Sequence, residues 1–176
     1  MAVALFVKRE DIVRNTILDG NVDTDKFIQF IKIAQEIHIR NYLGTDLYNK
    51  ISADIIAGTL SGNYLSLVTT YVQPMLIHYA MVDYLPFASF SIKNGGVYKH
   101  TSENSEIASK EEIDYLVQKE RDIAEYYTRR FIDYMSFNQS LFPEYYSNSN
   151  DDIYPDKDST FQGWVLTLAT LFTMII

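Results

Sequence analysis

The sequence contains no cysteine. This absence excludes disulfide bonds, catalysis by a thiol nucleophile and metal sites built from cysteine ligands, and it suits a reducing compartment. Glycine is also scarce. The one adjacent pair, Gly95-Gly96, is not followed by the Lys-Ser/Thr of a phosphate-binding loop. Nucleotide chemistry of that kind is therefore not expected.

Basic residues are in the minority. The chain has 15 Lys and Arg against 23 Asp and Glu, which gives a net charge of −8. Because gripping nucleic acid requires clustered Lys and Arg to neutralise phosphates, an acidic protein is a poor candidate for it. The same balance is compatible with the wall of a channel through which DNA slides without sticking.

Long hydrophobic runs are missing as well. The apolar N-terminus, residues 1–7, lacks the basic start and cleavage-site pattern of a signal peptide. The uncharged C-terminal stretch, residues 164–176, is shorter than the roughly 20 residues of a membrane helix. We expect both ends to be packing or docking segments, and we expect no membrane partner.

Residues with catalytic or metal-binding potential do not form a recognisable motif. His38, His78 and His100 are not spaced to share one helical turn, as a helical metal site requires. His78 lies in an apolar stretch and is predicted to be a core histidine. The remaining alternative is an enzyme that uses His78 with Asp83 or Glu120. The main prediction is no enzyme activity, no cofactor and no metal.

What the chain does contain is helical patterning. Hydrophobic residues make up 47% of its 176 residues, enough for one domain with a real core. A first helix is predicted from Asp23 or Thr24 to Tyr42, ended by Gly44 in a left-handed conformation. Thr45 or Asp46 then caps a second helix that runs to about Ala57.

A third, strongly apolar helix is predicted from Tyr64 to Leu85. Pro74 should kink it, or divide it into two helices at Gln73. Because it is apolar over more than one face, it should lie at the centre of a bundle or between subunits. The last long helix begins after the capping box Ser109-Lys-Glu-Glu112 and continues beyond Tyr134.

The last helix has an apolar and a charged side. Its apolar stripe is predicted to be buried and comprises Ile113, Leu116, Val117, Ile123, Ala124, Tyr127, Phe131, Tyr134 and Met135. The charged side, which includes Glu125, is predicted to face water or another subunit. Its candidate subunit-interface residues are Lys119, Glu120, Arg121, Asp122, Arg129 and Arg130.

A β-hairpin with an Asn94-Gly95 turn is predicted within residues 88–100. The acidic stretch 144–158 is predicted to be an extended arm outside the bundle. The fold class is therefore mainly α, a small helical bundle with a projecting β-hairpin and an extended C-terminal arm. The predicted boundaries are an N-terminal arm 1–22, a helical domain 23–143 and a C-terminal docking arm 144–176.

An ordered set of short segments resembles the head–tail connector, or neck ring, proteins of tailed bacteriophages, in particular those of crAss-like phages of Bacteroidetes hosts. The resemblance covers about residues 22–146. Its segments are Leu43-Gly-Thr-Asp-Leu-Tyr48, Tyr71-Val-Gln-Pro74, Leu85-Pro-Phe87, Asn94-Gly-Gly-Val97, Ser102-Glu-Asn-Ser-Glu106, Ala108-Ser-Lys-Glu-Glu112, Arg130-Phe-Ile-Asp-Tyr134 and Leu141-Phe-Pro-Glu-Tyr145.

The resemblance implies a structural virion protein in the neck, assembled in the host cytoplasm. It implies a homo-oligomeric ring, expected to be twelve-fold, that docks under the portal protein, meets further neck or tail proteins and lets DNA pass without specific binding. The candidate residues for docking on the portal or a neighbour are Lys93, Asn94, Gly95, Gly96, Tyr98, Trp164, Leu166, Leu168 and Phe172. The alternative is a non-viral helical adaptor without catalytic activity.

Overall fold

The computed structural model describes residues 4–16, 18, 24–88, 90–93, 96–99, 108–149 and 152–158. This part of the chain is mainly helical, as the sequence predicts. Its helices are α1 (Arg9–Asn15), α2 (Thr24–Ala34), α3 (Arg40–Ala57), α4 (Gly62–Leu67), α5 (Gln73–Tyr84), α6 (Lys110–Phe137) and α7 (Pro143–Ser147). None of these helices combines the length and apolarity needed to cross a membrane.

Two π turns join neighbouring helices. Gln35–Ile39 connects α2 to α3, and Val68–Val72 connects α4 to α5. The second π turn ends directly before Gln73, and Pro74 occupies the first turn of α5. A widened turn accommodates the missing N–H and the ring of a proline, and π turns are a known cause of helix bending. The predicted interruption near Gln73 is therefore present as a π turn.

Helix α5 forms the centre of the bundle. It packs between α2 and α6, and most of its circumference is buried: Met75, Leu76, Ile77, Tyr79, Ala80, Met81 and Val82. On the α2 side, the rings of Phe27 and Phe30 meet the edge of Tyr84 at centroid distances of 5.0 and 5.4 Å. The prediction that the most apolar helix is central is confirmed.

Helix α6 runs antiparallel to α5. Tyr134 stacks on Tyr71 and Tyr127 stacks on His78. The earlier residue of α6 therefore pairs with the later residue of the other helix, as in two chains that run in opposite directions. The predicted capping box is present: the Glu112 N–H donates to Ser109 Oγ, and the Ser109 N–H donates to Glu112 Oε2. The helix is capped at Asn138.

The predicted apolar stripe of α6 is only partly buried. Ala124, Phe131 and Met135 are fully buried, but Leu116 and Ile123 are 37% and 39% exposed. In the antiparallel register Leu116 lies beyond the end of α5, where that helix no longer covers it. Ile123 lies about 100° around the helix from Ala124, which faces the core. For these two residues the burial prediction is wrong.

Two short strands follow the 3₁₀ turn Leu85–Phe87. β1 (Phe90–Lys93) and β2 (Gly96–Lys99) pair antiparallel, with Phe90 opposite Lys99 and Lys93 opposite Gly96. The predicted turn residues Asn94 and Gly95 lie outside the described residues.

The acidic stretch after α6 is part of the folded domain. Phe142 and Tyr145 are buried, and α7 packs on α3. Residues 152–158, which we call the strap, lie along the start of α3 with Pro155 buried. For the described residues 144–149 and 152–158 the prediction of an arm outside the bundle is therefore wrong, and the folded domain continues past residue 143. The cause is a set of hydrogen bonds described below.

The N-terminal segment is anchored in the core. Phe6 and Val7 are each 2% exposed. The buried Gln35 side chain accepts from the Phe6 N–H at 3.0 Å and donates to the Ala4 carbonyl at 2.8 Å. Its predicted role as a packing segment is confirmed for these residues.

Candidate functional site

The solvent side of α6 carries a line of exposed aromatic and charged side chains. The spacing of alternately three and four residues places them on one face, which we call the outer face. The outer face consists of Tyr115, Lys119, Asp122, Ile123, Tyr126, Arg129, Arg130, Asp133 and Phe137. Tyr115, Tyr126 and Phe137 are 62%, 56% and 88% exposed, a large aromatic surface for a single helix.

Charges of both signs alternate along this face. Lys119 lies over the Tyr115 ring, with its Nζ 5.5 Å from the ring centroid, and approaches Asp122 at 4.0 Å. Both of these charged side chains are more than half exposed. Among the described residues, Arg129 and Asp133 form no ion pair. The charged side chains of the outer face therefore form weak ion pairs, or none, with the described residues of their own subunit.

Arg130 is the best-held cation of the outer face. Its guanidinium carbon lies 5.6, 6.0 and 5.8 Å from the ring centroids of Tyr71, Tyr126 and Tyr127. Cation–π contacts of this kind hold a guanidinium in place while its N–H groups stay available for an acceptor. Arg130 thus presents a pre-positioned donor to the outside of the bundle.

The candidate subunit-interface residues do not all share this surface. Lys119, Asp122, Arg129 and Arg130 are exposed, and Arg121 is partly buried. Glu120 turns inward, where its Oε2 lies 2.7 Å from His78 Nδ1 and its side chain is only 13% exposed. The structure gives Glu120 a partner within its own subunit.

The pair formed by His78 and Glu120 links α5 to α6. The His78 ring also stacks on Tyr127, with an angle of 8° between the ring planes. Of the two carboxylates in the enzyme alternative, only Glu120 reaches His78. Asp83 instead approaches His38 Nε2 at 3.7 Å, and His38 stacks on Tyr79 at 4.1 Å. The prediction that His78 is a satisfied core histidine agrees with this geometry.

His78 also borders a polar pocket of about 210 Å³. The pocket is lined by Asp11, Asn15, Thr69, Gln73, Pro74, Ile77, His78 and Tyr127. A histidine whose Nδ1 is held by a carboxylate can accept a proton at its other nitrogen, so this is where proton transfer is chemically conceivable. The described residues contain no cluster of three or more metal-ligating side chains.

A second polar centre lies where the strap crosses the break in α3 at Gly44. This glycine has φ +73° and ψ 163°. The positive φ expected from the sequence is present, but the ψ places Gly44 in the extended, essentially glycine-only region and not in the predicted left-handed helical one. The Thr45 N–H donates to the Ile153 carbonyl at 3.0 Å, and the Asp156 N–H donates to the Asn41 carbonyl at 2.8 Å. The strap thus uses backbone groups that the helix break leaves free.

Side chains complete this junction, which we call the Gly44 junction. Thr45 Oγ1 accepts from the Ile153 N–H at 3.0 Å and donates to Asp152 Oδ2 at 3.1 Å. Arg40 lies between Glu36 and Asp152, at 3.0 and 2.8 Å. The hydrogen bond to Glu36 raises the pKa of Arg40 above its ordinary value, so this cation remains charged.

Sequence reasoning missed two features. It did not select Tyr115, although its four-residue spacing from Lys119 could have placed it on the outer face. It also missed the strap, whose partners are more than 100 positions away. Of the candidate docking residues, Lys93, Gly96 and Tyr98 lie in the two strands. The others lie outside the described residues: Asn94, Gly95, Trp164, Leu166, Leu168 and Phe172.

Comparison with known proteins gives one kind of match. No curated protein and no solved structure matches the chain. A protein-family model matches residues 39–154, a stretch that begins just before the Gly44 junction, includes all of α6 and ends within the strap. The chain belongs to this family, DUF6712, which is described as a family of unknown function.

Proposed function

We propose that this protein is the head–tail connector, or neck ring, subunit of a tailed bacteriophage. In this proposal copies of the chain close into a ring, for which we expect twelve subunits. The ring docks under the portal protein, continues the DNA channel towards the tail and meets further neck or tail proteins. The protein is a structural part of the virion, assembled in the host cytoplasm, and has no catalytic role.

The observation that carries the proposal is the outer face of α6. At 28 residues, α6 is about 42 Å long, and it presents aromatic and charged side chains along most of that length. Leaving such a surface in water is unfavourable for a monomer, whereas a ring subunit uses it against a neighbour. Segments of the resemblance to connector proteins also fall on α3, α5 and α6.

The ends of the chain suit contacts with other virion proteins. The strap is hydrogen-bonded to α3 as far as Asp156, and the apolar stretch 164–176 follows five residues after the strap in the sequence. The 18 residues after the strap can span at most about 60 Å. In the proposal this stretch and the paired strands extend from the bundle and dock on the portal or on a neighbouring subunit.

The acidic balance supports a passive role towards DNA. With a net charge of −8, the chain lacks the excess of Lys and Arg that phosphate binding requires. A channel that must release the genome quickly benefits from walls that do not bind it.

The test is the solution mass of two proteins, full length and cut after Asp158, each with and without a portal protein from the same phage. Cutting after Asp158 removes the apolar stretch but keeps the strap and the Gly44 junction. The proposal expects a large ring, or a smaller species that assembles on the portal only when the apolar stretch is present. A small species indifferent to the portal in all four samples would instead favour the helical adaptor.

A further inference from the structure

The pattern of charges on the outer face is complementary to the same pattern on a second, antiparallel copy of the helix. Lys119 lies seven residues before Tyr126 and Asp133 lies seven residues after it. Asp122 lies four before it and Arg129 lies three after it. The two members of each set carry opposite charges, and all five residues share one face of α6.

This arrangement matters for two antiparallel copies of α6. If a two-fold axis passes beside Tyr126, residues equally far before and after Tyr126 lie at the same height, because both helices rise by about 1.5 Å per residue. Because each residue also turns by about 100°, residues close to the line through Tyr126 face each other directly, and residues away from that line meet those on the same flank. Lys119 of one copy then faces Asp133 of the other, and Asp122 faces Arg129. Each contact occurs twice, as in any isologous interface, so four opposite-charge contacts form and no like charges are brought together by these pairs.

The uncharged residues of the outer face fit the same axis. Tyr126 meets its own copy at the centre. Tyr115 and Phe137, eleven residues to either side, meet at the two ends. Ile123 faces Arg130, whose aliphatic stem can cover it. These exposed aromatic and aliphatic side chains would bury each other between the rows of charge.

We propose that the free subunit pairs with a second copy of this chain through the outer face, antiparallel about a two-fold axis at Tyr126. The pair must open before subunits join head to tail, because the same residues cannot serve an isologous and a heterologous contact at once. This second step rests on the ring proposed above, whereas the pairing does not. Pairing would keep free subunits from assembling before the portal is available.

The first test uses the absence of cysteine. In Tyr126→Cys the new thiol is the only one in the chain, and the two-fold axis brings both copies within the roughly 7 Å Cα separation of a disulfide. Mild oxidation should give a covalent dimer. The matched control is Ser136→Cys, also exposed on α6, whose copies lie about 30 Å apart in this arrangement and should not cross-link. No cross-link in the first variant, or equal cross-linking in both, overturns the pairing.

A charge exchange tests which residues face each other. Lys119→Glu and Asp133→Lys each place like charges opposite one another, and each should raise the dimer dissociation constant at least about ten-fold in analytical ultracentrifugation. The double variant restores opposite charges and should return to within about three-fold of the wild type. A double variant as weak as the single ones overturns the antiparallel register.

The portal assay separates this inference from the proposed function. Because Tyr126 also lies on the proposed ring surface, the oxidised Tyr126→Cys dimer is compared with the same variant kept reduced and not with the wild type. Oxidation should abolish addition to the portal, and reduction should return it to the level of the sample that was never oxidised. If the oxidised dimer adds equally well, the pair need not open and the second step is wrong. If neither the wild type nor any variant adds to the portal, the connector proposal fails, while the cross-linking and charge-exchange results still decide the pairing.

Discussion

The Gly44 junction and the outer face of α6 are both rich in polar side chains, but the two regions differ in how far these side chains have partners within the subunit. At the Gly44 junction, the Thr45 hydroxyl donates to Asp152 at 3.1 Å and accepts from the Ile153 N–H at 3.0 Å, across more than 100 positions of sequence. On the outer face, Arg129 and Asp133 have no ion pair among the described residues, and the tyrosines stay exposed. The polar groups of the Gly44 junction are hydrogen-bonded within the subunit, whereas the side chains of the outer face are exposed and can contact a partner.

The difference separates residues that determine folding from residues that determine association. A polar group with a buried partner stabilises the subunit, and its loss leaves that partner unsatisfied. An exposed charge contributes little to folding, but it can decide which surface a second molecule meets. Substitutions at the Gly44 junction should therefore change unfolding, and substitutions on the outer face should change assembly.

The largest effect is expected for Gly44→Ala. A Cβ at this position would lie 2.6 Å from Pro155 Cγ, and the residue would still have to adopt φ +73°. Strain and collision together should lower the free energy of unfolding by about 3 kcal/mol or more. Urea denaturation followed by circular dichroism measures this loss.

Gly58→Ala is a control for a positive φ without a collision. Gly58 has φ +69° and ψ 23°, the left-handed helical region that Ala enters at a lower cost than the conformation of Gly44, and no atom lies within 4 Å of its added Cβ. Gly58→Ala should lower the free energy of unfolding only by the cost of holding Ala at a positive φ, about 1 kcal/mol. If both variants lose the same free energy of unfolding, the strap does not collide with a side chain at position 44.

The next effect concerns the hydroxyl of Thr45, which is 2% exposed. Thr45→Val keeps the shape but leaves the Ile153 N–H without an acceptor and Asp152 with Arg40 as its remaining partner, at an expected cost of about 2 kcal/mol. Thr45→Ser keeps the hydroxyl and should recover most of this loss in the same denaturation experiment. Assembly on the portal should be unchanged at protein concentrations where both variants are folded. A Thr45→Val variant as stable as wild type would mean that the strap is not held by this side chain.

The parts of the fold that follow local signals were predictable. Gly44 and the Ser109–Glu112 capping box act within a few residues of themselves, so the break in α3 and the start of α6 could be placed from sequence. The apolar circumference of α5 likewise indicated a central helix. The strap was not predictable, because its acidic composition indicates a solvated segment whereas its hydrogen bonds join positions far apart in sequence.

The candidate site shows the same limit. The charges of the outer face could be recognised from their spacing, but the direction of Glu120 could not. Glu120 belongs to the polar side of α6 by composition, and it turns inward because His78 of the neighbouring helix offers a ring nitrogen there. Leu116 and Ile123 have the helical period of a core, but the length and position of the covering helix decide their exposure.

Glu120 and Lys119 are adjacent in sequence and should behave oppositely. Glu120→Ala removes the partner of His78 and should lower the free energy of unfolding by about 1.5 kcal/mol, whereas Glu120→Gln keeps an acceptor and should lose less. Lys119→Ala, at a position more than half exposed, should stay within about 0.5 kcal/mol of wild type but weaken self-association. Denaturation and ultracentrifugation of the same samples test this division. If Lys119→Ala unfolds more easily than Glu120→Ala, the two faces have been assigned the wrong way round.

The smallest effect is a pH dependence at Tyr64, whose hydroxyl donates to Glu144 at 2.7 Å. Burial, assisted by this hydrogen bond, raises the pKa of Tyr64 to about 12 from an ordinary value of 10.0. The unfolded chain therefore releases this proton at lower pH than the folded chain. The contribution of Tyr64 to stability is complete below pH 10 and is lost as the pH rises towards 12.

Tyr64→Phe should be less stable than wild type by about 1 kcal/mol between pH 7 and 9. This difference in stability should narrow by pH 11.5, because only the wild type has the proton to lose. Denaturation midpoints of both proteins across this range measure the gap, and a gap that stays constant to pH 11.5 would mean that water reaches the hydroxyl in the folded state.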